Sequence, residues 1–105
     1  MAQFFAYKNP NPATRKHYPY LLDIQSELLS ELSTTVVIPL VPVKTAATMR
    51  LSRLNPTLDI NGESCIAMTQ ELAGIERQHL GAEACDLSHY RAEIIAAVDF
   101  MFAGI

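Results

Sequence analysis

The chain has 105 residues, half of them apolar, and a formal net charge of −3. This is enough for one domain over residues 1–105 that builds its own core without metals or disulfides, and the acidic balance argues against free-standing nucleic-acid binding through basic patches. No stretch approaches the roughly 20 apolar residues of a membrane helix, and the first residues lack the basic and long apolar regions of a signal peptide, so a cytoplasmic protein is expected.

Gln3 to Tyr7, rich in aromatics, reads as a short strand. Asn9-Pro10-Asn11-Pro12 then breaks regular structure, because each proline fixes φ and removes a donor. The basic cluster Arg15-Lys16-His17 belongs in or beside this loop. Tyr18 to Ile24 reads as a second strand with Pro19 near its start or on an edge. Ser26 to Leu32 fits either a loop or a turn of helix.

Thr34-Thr35-Val36-Val37-Ile38 carries the strongest strand signal, an unbroken β-branched run with both faces expected to be buried. Pro39 and Pro42 predict a bend or an edge beyond it. Lys44 to Leu54 is open between a short helix and an irregular crossing. Leu58 to Ile66, centred on Asn61-Gly62, is a hairpin signature, because Asn-Gly supplies the two positive φ values of a type I′ turn. Its second strand is expected to reach Met68. Thr69 to Ile75 and Leu80 to Ala84 are weaker elements.

The tail is the clear helix. Asp86 and Ser88 are both candidate N-caps, and Gly104 is a suitable place for a helix to end. Ile94, Val98, Met101, Phe102 and Ile105 recur at helical spacing as one apolar stripe, with Arg91, Glu93 and Asp99 largely off it. Short strands followed by one helix predict a mainly β, α+β domain. The apolar end of the helix suits either a core or dimer plug or a binding tip.

No chemistry announces itself. His17, His79 and His89 stand in no metal-ligand spacing, and Cys65 and Cys85 form no CxxC pair, so two reduced thiols are expected. There is no Gly-rich phosphate loop and no GxSxG elbow. Asp23 with Glu27, or Glu83 with Asp86, could meet locally, but solvated charges are the simpler reading. Catalytic residues, metal and cofactor are all expected to be none.

Several segments together resemble a known family. Leu22-Asp23-Ile24-Gln25-Ser26, Val37-Ile38-Pro39-Leu40, Asp86-Leu87-Ser88-His89, and Met101-Phe102 with Gly104-Ile105 are similar to the CcdB toxins. So is the order of elements: Asn61-Gly62 before a strand ending near Met68-Thr69, then the closing helix. The resemblance spans essentially the whole chain at matching length. It lies in the combination, since no single motif is specific.

The resemblance implies an SH3-like antiparallel β-barrel with a small extra sheet and a C-terminal α-helix, assembled as a homodimer. It implies a toxin that binds the A subunit of DNA gyrase and traps its cleaved complex with DNA. A CcdA-type antitoxin would neutralise it through a disordered tail that folds on the toxin. The two together would repress their operon, so operator DNA would be reached only through the antitoxin complex. The gyrase-contacting positions of the family fall here on Leu28, Leu29, Asp99, Phe102, Ala103, Gly104 and Ile105. Two positions depart from the best-known members, which carry Trp where this chain has Ala103 and Asn where it has Asp99. Two alternatives share the fold: a ribonuclease toxin of the MazF and Kid kind, and a binding copy that has lost its toxicity.

Overall fold

The protein is described here from a computed structural model over residues 2–45 and 52–104. In chain order the strands are β1 (Phe5–Lys8), β2 (Tyr20–Asp23), β3 (Thr34–Pro42), β4 (Thr57–Ile60), β5 (Glu63–Ala67), β6 (Ala73–Glu76) and β7 (Glu83–Asp86), followed by helix α1 (Arg91–Ala103). All pairings among the described residues are antiparallel. The main path runs β4-β5-β3-β2-β1-β7, and β6 joins it by pairing with β3.

The fold forks at Pro39. One edge of β3 pairs with β2 from Val37 to Leu40. The other edge pairs with β6 from Thr34 to Val37 and with β5 from Leu40 to Pro42. Pro39 sits at the changeover, and its carbonyl accepts from the N–H of Met68 at 2.9 Å. In an extended chain the nitrogen and carbonyl of one residue face the same neighbour, so the donor that proline lacks faces the gap between β5 and β6. The edge expected at Pro39 is thus confined to one residue, and the strand continues through it to Pro42. The short arm, β6 on the first half of β3, stands where a small extra sheet was expected, but as a branch of the same seven-stranded sheet.

The hairpin forms as Asn-Gly dictates, with Asn61 at φ 51° and Gly62 at φ 92°. Its second strand stops at Ala67, one residue short of Met68. In β4, Leu58 and Ile60 are buried while Thr57 and Asp59 are exposed, the period-two pattern of a half-buried strand. Of the run Thr34–Ile38 expected to be buried on both faces, Thr35, Val37 and Ile38 are buried, but Thr34 is exposed and Val36 half-buried; burial on both faces is fuller beyond it, from Leu40 to Pro42. β1 starts at Phe5 rather than Gln3 because Phe4, at φ 68°, turns the chain away from the extended region. The ambiguous segment after β2 contains one helical turn, Glu27–Leu29. In the segment from Lys44 to Leu54, a turn over Val43–Thr45 precedes residues 46–51, which lie outside the described residues.

The sheet curls into a half-barrel around Leu22, Ile38, Leu40, Leu58, Ile60 and Leu87. β4 and β7 end the path without pairing to each other. Across that seam, the Asn61 side-chain amide donates to the carbonyl of Ala84 at 3.0 Å. Helix α1 covers the opening with Ile94 and Ala97, both fully buried. Tyr90 fixes the start of the helix by accepting from the N–H of Asp59 at 3.1 Å. Neither candidate N-cap holds that position: Tyr90 precedes α1 with no side-chain cap bond, and Ser88 opens the turn Ser88–Tyr90 that runs into the helix. The Asp86 carboxylate accepts from the N–H of Ser88 at 2.8 Å just ahead of that turn. The Asp86 carboxyl is held below its ordinary value by hydrogen bonds from the Ser88 side chain and backbone.

Candidate functional site

The turn after β2 is built by Ser26, whose hydroxyl accepts from the N–H of Leu28 at 3.1 Å. The cap lifts Leu28 clear of the domain: it is 93% exposed, and Leu29 and Leu32 are exposed beside it. Every side chain from residue 27 to 34 is exposed, so no buried anchor holds this loop.

Helix α1 ends in a left-handed cap. Gly104 stands at φ 72°, and its N–H donates to the carbonyl of Phe100 at 2.8 Å. The predicted single stripe splits. Ile94 is buried and Val98 and Met101 are half-buried, but Phe102 turns away and is 73% exposed. The helix is apolar on more than one side: Ala92, Ile95, Ala96 and Ala103 are also exposed, with the charges of Arg91, Glu93 and Asp99 interspersed among them. Phe100 is half-buried with the Arg53 guanidinium 4.5 Å above its ring.

Of the seven positions singled out from sequence, Leu28, Leu29, Asp99, Phe102, Ala103 and Gly104 are all exposed. Ile105 lies outside the described residues. The six fall into two patches on separate elements, and among the described residues no hydrogen bond, ion pair or ring contact joins the 27–29 turn to α1.

Among the described residues the other reactive groups stand apart from one another. Burial pushes the Cys65 thiol up to about 11, which suppresses the thiolate a nucleophile needs. Cys65 and Cys85 are both free, as expected. The histidines are separate: His17 packs edge-on to Tyr18, His79 lies 3.7 Å from Glu76, and His89 tilts against Tyr90. Among the described residues no group of three His, Cys, Asp or Glu could hold a metal ion, and no helix is long and apolar enough to cross a membrane.

Two features had no signal in the sequence. One is a cavity of about 520 Å³ between the Asn9–Pro12 loop and the outer face of the sheet, floored by Leu21, Val37 and Ile75. Tyr18 stands in its wall and donates to the Glu71 carboxylate, a bond that pushes the phenol up to about 12. The other is Arg77, whose guanidinium reaches back to the loop carrying Leu28 and Leu29. Both depend on segments that meet only in the folded chain.

Comparison with known proteins supplies the family. The sequence model described as "CcdB protein" matches residues 3–104. Among solved structures the fold is similar to one described as "Crystal structure of Mtb toxin", with a TM-score of 0.60 at 18% identity over 75% of this chain and 87% of that one. It is also similar to "Mycobacterium tuberculosis toxin MazF-mt6", with a TM-score of 0.64 at 16% identity over 79% of this chain and 84% of that one. At such identities these likenesses speak for the fold: a β half-barrel with a helix at its C-terminal end.

Proposed function

The chain belongs to the CcdB family, a family of toxins from toxin–antitoxin systems, and from that premise we propose that it acts by binding the A subunit of DNA gyrase and trapping the cleaved gyrase–DNA complex. The observation that carries this reading is Phe102, a large aromatic left 73% exposed on the last turn of a capped helix. Aromatic residues, Phe included, are enriched at protein interfaces relative to the rest of the surface. The left-handed cap at Gly104 fixes the direction of that last turn, so little ordering entropy remains to be lost on binding.

Poisoning needs no bond-making by the toxin. A ligand that binds the cleaved state more tightly than the intact one shifts the enzyme toward cleavage by that difference in affinity alone. Leu28, Leu29, Asp99, Phe102, Ala103, Gly104 and Ile105 form the contact set of this proposal. The toxin works as a cytoplasmic homodimer, whose twofold axis presents two copies of the set to a symmetric target. A CcdA-type antitoxin folds onto it and carries the pair to operator DNA. Ala103 supplies less contact area than the tryptophan of the best-known members, and Asp99 adds a charge.

The test is expression without antitoxin in two bacterial strains, one with sensitive gyrase and one whose gyrase A subunit resists CcdB. The proposal expects killing in the sensitive strain only, and expects Ala103→Trp to strengthen it. Killing in both strains would overturn it and favour RNA cleavage, which purified protein acting on RNA would reveal. Survival of both with soluble protein present would mark a binding copy without toxicity.

A further inference from the structure

The loop bearing Leu28 and Leu29 has no buried side chain between residues 27 and 34, yet it keeps a defined turn. Part of its order is local: Leu29 donates to Ser26, Ser30 to Glu27 and Leu32 to Leu29 through backbone bonds of 3.0–3.1 Å. Such exposed single-turn bonds open readily in water. Two further ties are Gln3 N–H to the Glu27 carboxylate at 3.3 Å, across 24 positions of the chain, and the Gln25 amide to the Thr34 carbonyl at 3.0 Å.

Beyond the β3–β6 pairing that begins at Thr34, the longest-range ties among the described residues come from one residue far along the chain. Arg77, in the turn after β6, donates through Nε to the carbonyl of Leu32 at 2.8 Å and through its guanidinium to the carbonyl of Leu29 at 3.3 Å. Its own N–H donates to the carbonyl of Ser33 at 2.8 Å. Its third nitrogen lies 3.8 Å from the Asp23 carboxylate, a side chain only 2% exposed. Asp23 is in turn fixed by the Thr35 hydroxyl at 2.7 Å and the Gln25 N–H at 3.2 Å. The guanidinium is therefore clamped on its inner side by a buried carboxylate and spends its outer donors on the loop. A planar fork with five N–H donors can serve these directions at once, whereas an ammonium on a flexible stem cannot hold the same geometry.

We infer that Arg77 is a positioning residue for the Leu28–Leu29 contact surface: anchored on buried Asp23, it holds the exposed turn in its binding geometry without touching the partner. The functional half of this inference rests on the gyrase reading above; the structural half does not. Because an unclamped loop must be ordered at the moment of binding, loosening it weakens association while leaving every contact residue in place.

The experiment uses the full chain as Arg77→Lys, with Arg77→Gln/Asp23→Asn as a second variant that leaves no unpaired buried charge. Amide hydrogen exchange is read at Leu29, Ser30 and Leu32 against Leu40 and Ile66 in the core. Affinity for the gyrase A subunit is measured alongside, with Leu28→Ala alone and combined with Arg77→Lys. The expected result is exchange about tenfold faster in the loop with the core unchanged, and affinity about tenfold weaker. The double variant is then no weaker than Leu28→Ala by the full product of the two single effects. Unchanged loop exchange in both Arg77 variants would overturn the clamp. Fully multiplicative losses would overturn positioning of Leu28 as the route to the target. A loosened loop with Leu28→Ala binding like wild type would leave the clamp standing and sink the contact surface it was thought to serve.

Discussion

The half-barrel and the two apolar projections are made of the same residue types but held in place by different forces. Leu40, Leu58 and Ile60 are fully buried and define the structure by exclusion from water. Leu28 and Phe102 face outward, on segments held by polar contacts and backbone conformation: the Ser26 hydroxyl cap, the Arg77 guanidinium and the left-handed Gly104. Within a chain of 105 residues, apolar side chains that build the core are thus separated from apolar side chains left free on the surface.

That separation can be broken or sharpened by substitution. Leu40→Ala should cost about 2–5 kcal/mol of folding stability, as core truncations do, measured by urea unfolding. Phe102→Ala should change stability by less than about 0.5 kcal/mol yet cost about 2 kcal/mol of gyrase affinity, roughly thirtyfold. A Phe102→Ala variant that unfolds as easily as Leu40→Ala would show that the helix tip belongs to the core after all. The smallest effect is expected at Asp86. Its carboxyl is lowered in the folded state, so its stabilisation is present above the ordinary value of 3.8 and is lost as pH falls through the lower folded value. Thermal melts of wild type and Asp86→Ala should therefore differ at neutral pH and converge as the solution is acidified below that range.

Legibility in the sequence followed the range of the interactions. The Asn61-Gly62 hairpin and β3 depend on local conformational preference and on an unbroken apolar run, and both formed where those signals lay. β6 and β7 are short, with little β-branched content, and exist because β3 and β1 offer them pairing edges. The weaker element expected at Leu80–Ala84 accordingly overlaps only the first half of β7, Glu83–Asp86. In α1, Phe102 fitted the helical spacing of Ile94, but an apolar helix offers more than one stripe, and only packing against the half-barrel decides which one turns inward. The exposed contact positions came from resemblance; their exposure could not be read from periodicity. The grip of Arg77 on Leu29 spans 48 positions and left no local trace.

The fork at Pro39 bears on how the molecule opens. β3 is a beam shared by two arms, β4–β5 on one half and β6 on the other, and its far edge is carried by β2. An arm could detach from its half of the beam without breaking the other arm's ladder bonds, so the pairing pattern would set a boundary between sub-global unfolding units at a single imino acid. The β6 unit includes the turn that carries Arg77. Fraying of that arm would release the loop of Leu28 and Leu29 while the barrel and its helix stay closed, giving the two projections separate lifetimes.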